Sequence, residues 1–162
     1  MIASVTDFKN VFFIGVAGTG MSAIAQYLSG TGKMVSGSDR YFQPGEFNDT
    51  RDKLEAAGIK CFLQDGEGIT DKTDLVVVST AVEDTVPEVQ KAKSLSIPII
   101  KRSELLALIA KSKKTIAVGG TSGKSTTSAM LCGSFYFLAH FCLHFISKGC
   151  YLTLGENFKR NC

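Results

Sequence analysis

Twice in this chain a short run of β-forming residues breaks into a glycine-rich loop and resumes as a helix-compatible run. The first instance is Val11-Phe12-Phe13-Ile14, then Gly15-Val16-Ala17-Gly18-Thr19-Gly20, then residues 21–28 at helical spacing. The second is Ile116-Ala117-Val118-Gly119, then Gly120-Thr121-Ser122-Gly123-Lys124-Ser125-Thr126-Thr127, with small and apolar residues as far as Leu131. A loop between strand and helix turns backbone N–H groups inward, and the helix N-terminus adds partial positive charge. Both loops are therefore phosphate cradles in outline. In the second, Lys124 adds a mobile full charge and Ser125 a hydroxyl suited to Mg²⁺, the set that holds a nucleoside triphosphate.

Neither loop follows the commonest spacing. Five residues before Gly123 stands Val118, where the general P-loop pattern has glycine. In the first loop the glycines fall at the first, fourth and sixth places, whereas the dinucleotide fingerprint has them at the first, third and sixth. A second feature supports the first loop. The run Lys33-Met34-Val35-Ser36-Gly37-Ser38-Asp39 reads as strand two, and Asp39 follows Gly15 by 24 positions. That is near the offset of roughly 20 at which such folds set a carboxylate on a ribose hydroxyl. The alternative for Asp39 is a turn cap.

The rest of the pattern is βα repetition. Residues 45–57 read as a helix with Phe47 and Leu54 inward, residues 59–63 as strand three, and residues 64–73 as a loop. Residues 74–78, Asp-Leu-Val-Val-Val, form the clearest buried parallel strand and lead into Ser79 and Thr80. Pro87 opens a helix to Ser94, with Glu88 near its positive end. Residues 97–100 are strand five, which Pro98 confines to an edge. Residues 103–110 are a helix with Ser103 as N-cap, and residues 111–114 are a charged link. The fold class is α/β: a Rossmann-like parallel sheet with flanking helices, followed by the first strand and P-loop of a second α/β domain.

Composition bounds the function. The chain has 162 residues, 44% hydrophobic and 20% charged, as a globular chain does. A net charge of +3 is too small to point to nucleic acid or an anionic membrane. Asp7 and Lys9 interrupt the start, so no secretion signal is expected and the setting is cytoplasmic. An odd count of five cysteines suggests no disulfide framework.

Taken together, Gly15 to Ser22, Val35 to Asp39, Val77 to Val82, Pro87-Glu88, Ile97 to Glu104 and Gly120 to Thr127 resemble the Mur ligases, in that family's order, over about residues 8–131. The alanine-adding branch is the nearest. The resemblance implies a first domain (residues 1–111) that binds a UDP sugar, and the start of the central ATP-binding domain (112–131). For the sugar nucleotide it implies Gly15, Ala17, Gly18, Thr19, Gly20, Met21 and Ser22 at the pyrophosphate, Asp39 by the uridine, and Ser79 and Thr80 in the same crevice. For ATP it implies Gly120, Thr121, Ser122, Gly123, Lys124, Ser125 and Thr126. Within that set the resemblance implies Lys124 as the catalytic residue, holding the phosphates, and Ser125 as the Mg²⁺ ligand. The resemblance to the alanine-adding branch implies a reaction that joins L-alanine to UDP-N-acetylmuramate through an acyl phosphate. Two positions depart from the pattern: Ala17 replaces a usual glycine, and Ser122 a usual histidine. A murein-peptide recycling ligase and a non-catalytic UDP-sugar or NAD module stand as alternatives.

Residues 132–162 do not follow the resemblance and hold four of the five cysteines. They read as a divergent tail of a truncated or frame-shifted chain, inactive alone. Residues 130–146 carry no formal charge over 17 positions, but His140 and His144 are costly in lipid, so a buried helix is expected there. Cys142 falls on another face from His140 and His144, which disfavours a metal site.

Overall fold

Strands of this composition need cover on both faces, and the chain supplies it mainly with helices, one after each of the first, second, fourth and fifth strands. The computed structural model describes residues 2–43, 48–138 and 150–154. Five strands, β1 (Asn10–Ile14), β2 (Met34–Ser38), β3 (Lys60–Phe62), β4 (Leu75–Val78) and β5 (Ile99–Lys101), form one sheet in the order β3-β2-β1-β4-β5. Every neighbouring pair in it is parallel. Between and after them lie α1 (Thr19–Gly30), α2 (Asp49–Ala56), α3 (Pro87–Ser94) and α4 (Arg102–Lys111).

The sheet separates two apolar layers. On one face Val11, Phe13, Val35, Leu75 and Val77 meet Met21, Ile24, Ala25 and Leu28 of α1, Leu54 of α2, and Leu105 and Ile109 of α4. On the other, Phe12, Ile14 and Val76 meet Val89 and Ala92 of α3, with Ile69 and Ile97. Alternate residues of β1 thus serve opposite layers, as the two-residue period of a strand requires. The apolar positions of α1 recur at helical spacing along its inner side, which is why this stretch is a helix.

Strand and helix limits follow the sequence closely. Pro87 stands at the first position of α3, whose bounds are those expected, and Glu88 in its first turn is fully buried. Pro98 precedes β5, and β5 lies at a sheet edge. Two expectations change. Ser103 does not cap α4: β5 runs directly into the helix, so Lys101 is the N-cap and the Glu104 carboxylate accepts its N–H at 3.3 Å. The second helix begins at Asp49, where Asn48 accepts the Arg51 N–H. Residues 44–47, including the expected inward Phe47, lie outside the described residues.

Asp74 ties β4 to β1. Its carboxylate accepts the N–H groups of Asn10 at 2.7 Å and Lys9 at 2.8 Å. These two bonds, that of Asn10 first, hold its pKa below the ordinary aspartate range. A depressed folded value means stability that is present at neutral pH and lost as pH falls through that value. Asp74→Ala is expected to cost about 1 kcal/mol at neutral pH. The difference between wild type and variant should shrink on acidification, as read by urea denaturation at stepped pH.

The second unit is smaller. β6 (Lys114–Val118) is followed by α5 (Lys124–Leu138) and pairs antiparallel with β7 (Cys150–Leu154), Lys114 opposite Leu154 and Val118 opposite Cys150. The sequence had shown no strand at 150–154. The expected helix over 130–146 is met as far as Leu138, but Met130 at its start is exposed rather than buried; His140, Cys142 and His144 lie outside the described residues. No described helix is long and apolar enough to cross a membrane.

Candidate functional site

The strand order reverses between β1 and β4, so the chain leaves those two strands in opposite directions and opens a crevice beyond their carboxyl ends. The first glycine loop leaves β1 there. Gly15 takes φ +82°, a left-handed conformation that other residues adopt at a cost. Ser79 follows β4 and faces it: a Cβ added at Gly15 would stand 3.9 Å from the Ser79 hydroxyl. Thr80 is exposed beside it.

The loop spends most of its amides on the protein itself. Gly15 and Val16 donate to the Ser38 carbonyl at 2.8 and 3.1 Å, Ala17 donates to the Asp39 carboxylate at 2.9 Å, and Gly18 to the Gly15 carbonyl at 3.4 Å. Met21 donates to the Gly18 carbonyl and buries its side chain in the core, so it anchors the loop. The Ser22 hydroxyl turns back to the Thr19 carbonyl. Gly18 is the N-cap of α1 and offers no side-chain cap. Thr19 and Gly20 follow it at the first two helical positions, and no bond to their N–H groups occurs among the described residues. These two amides, with the positive helix end, are what the loop presents outward.

Asp39 sits at the same edge but is only 5% exposed. One carboxylate oxygen takes the Ala17 N–H and the other takes the Tyr41 N–H at 3.1 Å. The acid thus locks the glycine loop to the turn after β2. Beside it a cavity of about 320 Å³ is lined by Asp39, Arg40, Phe42, Gln43, Leu63, Gln64 and Asp65. The Arg40 guanidinium lies over the Tyr41 ring, 5.0 Å from its centroid.

Gly37 explains how the loop packs so closely. A Cβ there would come 2.7 Å from the Phe13 carbonyl oxygen and 2.8 Å from the Val16 Cβ. Neither neighbour is a flexible chain end, so Gly37→Ala should force the loop off the strand and cost about 1–3 kcal/mol, measured by chemical denaturation.

Arg102 has no role in the sequence reading, yet it reaches this site. A Cβ on Gly20 would stand 2.1 Å from its Nη1 atom. Its signal in the sequence was only its place in the run Ile97 to Glu104; nothing local tells that α4 delivers its first residue to the N-terminus of α1.

In the second loop, Gly120 and Gly123 have φ of +148° and +73°, and Lys124 begins α5. The lysine amino group donates to the carbonyls of Gly120 at 2.6 Å and Thr121 at 3.1 Å, so in the free protein it folds back over its own loop. Thr121, Ser122, Ser125 and Thr126 are exposed. Nothing lies within 4 Å of a Cβ placed on Gly119 or Gly123, which leaves room for phosphate. Open glycine backbone, a lysine and hydroxyls at a helix start fit a triphosphate, and Ser125 would supply one oxygen to Mg²⁺. Among the described residues no cluster of three His, Cys, Asp or Glu side chains could hold a metal. Cys61 is no nucleophile: burial, with the Glu55 charge, pushes its thiol up to about 11.

Comparison with known proteins agrees with this geometry. Residues 10–114 match the family model described as "Mur ligase family, catalytic domain". The chain is 38% identical over 130 residues to the UDP-N-acetylmuramate–L-alanine ligase of Buchnera aphidicola, covering 80% of this chain and 26% of that protein. It is 46% identical over 122 residues to the enzyme of the same name from Carboxydothermus hydrogenoformans, covering 75% and 25%. The chain thus spans about a quarter of the length of these curated relatives. Its fold superposes on the UDP-N-acetylmuramate–alanine ligase of Thermotoga maritima with a TM-score of 0.73 at 29% identity, over 90% of this chain and 35% of that one. A UDP-N-acetylmuramate:L-alanyl-gamma-D-glutamyl-meso-diaminopimelate ligase from Neisseria meningitides gives 0.65 at 25% identity, over 81% and 40%. With the strand order, the loop at its reversal and the family match all in agreement, the chain belongs to the Mur ligase family.

Proposed function

We propose that this chain holds UDP-N-acetylmuramate over the carboxyl ends of β1, β2 and β4, and is the N-terminal portion of an ATP-dependent ligase that joins L-alanine to that sugar nucleotide in peptidoglycan synthesis in the cytoplasm. The observation that carries this function is the meeting of the glycine loop and Ser79 where the strand order reverses, beside an uncapped helix N-terminus. Open α/β sheets bind ligands at such a point. The relatives named for this substrate support the choice of sugar nucleotide.

Each residue then has a duty. The Thr19 and Gly20 amides take the pyrophosphate. Gly15, Ala17, Gly18, Met21 and Ser22 shape and anchor the loop that presents them. Ser79 and Thr80 border the crevice, and Asp39 holds the loop beside the cavity that receives the uridine. Residues 1–111 form this domain, residues 112–131 open the ATP-binding domain, and residues 132–162 are a divergent tail.

ATP gives its γ-phosphoryl group to the substrate carboxylate, forming an acyl phosphate and releasing ADP. The amine of L-alanine then attacks the acyl carbon, forms the amide after losing a proton, and inorganic phosphate leaves. Such transfer asks the protein for positioning and charge neutralisation rather than covalent help. Gly120, Thr121, Ser122, Gly123 and Thr126 form the cradle. Lys124 leaves its carbonyl partners for phosphate, and Ser125 offers its hydroxyl to Mg²⁺.

Calorimetric titration with UDP-N-acetylmuramate tests the first domain. Saturable heat that NAD does not displace is expected. Absence of heat contradicts the assignment, and displacement by NAD points instead to a nicotinamide-binding module.

A further inference from the structure

We infer that Arg102 is the side chain that makes this site prefer a diphosphate over an uncharged nucleoside, an assignment that rests on the sugar-nucleotide site proposed above. Three positive features meet here. Arg102 is the first residue of α4, where a cation faces the positive end of its own helix. Its guanidinium is also laid against the first turn of α1, because Gly20 leaves the room: an added Cβ would stand 2.1 Å from Nη1 and 3.2 Å from Cζ. The Thr19 and Gly20 amides of that turn are themselves unpaired among the described residues.

No anion among the described residues answers this charge. The ion pairs among the described residues are Arg51–Glu55, Lys53–Asp49 and Lys93–Asp84. Glu104, the nearest acid in sequence, has its carboxylate on the Lys101 N–H. Half-buried and without a carboxylate among the described residues, the guanidinium is held at the positive end of α1, which repels it. Local charge arrangements that oppose stability persist where a function uses them.

An anion between the α1 amides and the guanidinium converts that repulsion into attraction. Two amides and a planar two-pronged donor can serve two adjacent phosphate groups, and a guanidinium binds phosphate bidentately. A bare nucleoside gains nothing from either. Gly20 then has a specific reason: it is the gap through which α4 delivers Arg102 to α1.

Arg102→Gln, Arg102→Lys and Gly20→Ala in the full chain test this, each titrated with UDP and with uridine by calorimetry and ligand-observed NMR. Thermal melting without ligand serves as the control for folding. Arg102→Gln should weaken UDP binding by roughly ten- to hundred-fold, the range for a lost charge-assisted contact. It should leave uridine within twofold and melt at or above the wild-type temperature, because a repulsion is gone. Arg102→Lys should fall between, keeping the charge without the fork. Gly20→Ala should melt no lower than wild type, since the displaced group is a flexible side-chain end, and should lose UDP selectively.

UDP affinity unchanged in Arg102→Gln overturns the role of Arg102 while leaving the site intact. Parallel loss of UDP and uridine with a lowered melting temperature also overturns it, in favour of a structural role. Wild-type protein that binds neither ligand removes the sugar-nucleotide site itself, and the role of Arg102 with it.

Discussion

Truncating Phe12 to alanine, or Phe13 to alanine, is expected to cost about 3–5 kcal/mol each. The two residues are adjacent in β1, yet they belong to different layers. Phe12 lies with Ile14, Ile69, Val76 and Val89, and its ring meets that of Phe62 with centroids 6.2 Å apart and planes tilted by 40°. Phe13 lies with Val11, Leu28, Leu75 and Leu105. Both are 0% exposed, so each truncation leaves a cavity in a packed layer. A domain's whole stability is about 5–15 kcal/mol, so either variant should populate unfolded chain at mild denaturant. Because the two residues share the β1 backbone, the double variant measures their coupling rather than a simple sum. Urea denaturation monitored by circular dichroism measures this. If one variant were near neutral while the other was not, one face of the sheet would be uncovered, contrary to the two-layer packing.

The second large effect is expected from Asp39→Asn, which changes almost no volume. Both oxygens of the native carboxylate accept backbone N–H groups, from Ala17 at 2.9 Å and Tyr41 at 3.1 Å. An amide has one acceptor oxygen, so in either orientation its NH₂ group is set against one of those N–H donors. The position is buried, and a donor left unpaired there costs about 1–3 kcal/mol, while hydrogen bonds to a charged group contribute about 1.5–3 kcal/mol. A loss of about 2–4 kcal/mol is therefore expected. The same change frees the glycine loop from the turn after β2, so affinity for a UDP sugar should fall even though Asp39 is turned toward the protein. Denaturation paired with ligand titration reads both. A variant as stable as wild type would contradict the lock between loop and turn.

The sheet was legible in the sequence because its strands are local signals. Leu75 to Val78 is apolar throughout and could only be a strand buried on both faces, and Pro98 could only stand at an edge. Pro87 marked the start of α3 for the same reason. The loop's position was also legible, from glycines directly after a strand.

What the loop does with its amides was not legible. The partner of Gly15 and Val16 is the carbonyl of Ser38, and that of Ala17 is Asp39, each more than 20 residues away. The spacing from Gly15 to Asp39 suggested a carboxylate turned toward ribose; the structure turns it to the loop's own backbone. Gly37 reads simply as part of strand two; the structure shows its cause in the Phe13 carbonyl and the Val16 side chain packed against it. Arg102 was invisible as a site residue because its neighbour Gly20 lies 82 positions earlier. Such pairings follow from topology, which local patterns do not encode.

The most direct test is to follow backbone amide shifts of the full chain by heteronuclear NMR while UDP-N-acetylmuramate is added. Binding at the reversal of strand order predicts saturable shifts at Thr19 and Gly20, at Ser79 and Thr80, and in the turn after Asp39, with Gly120 to Thr126 unmoved until ATP and Mg²⁺ are present. Shifts confined to Gly120 to Thr126, or no shifts at ligand concentrations that saturate a full-length relative, would contradict it.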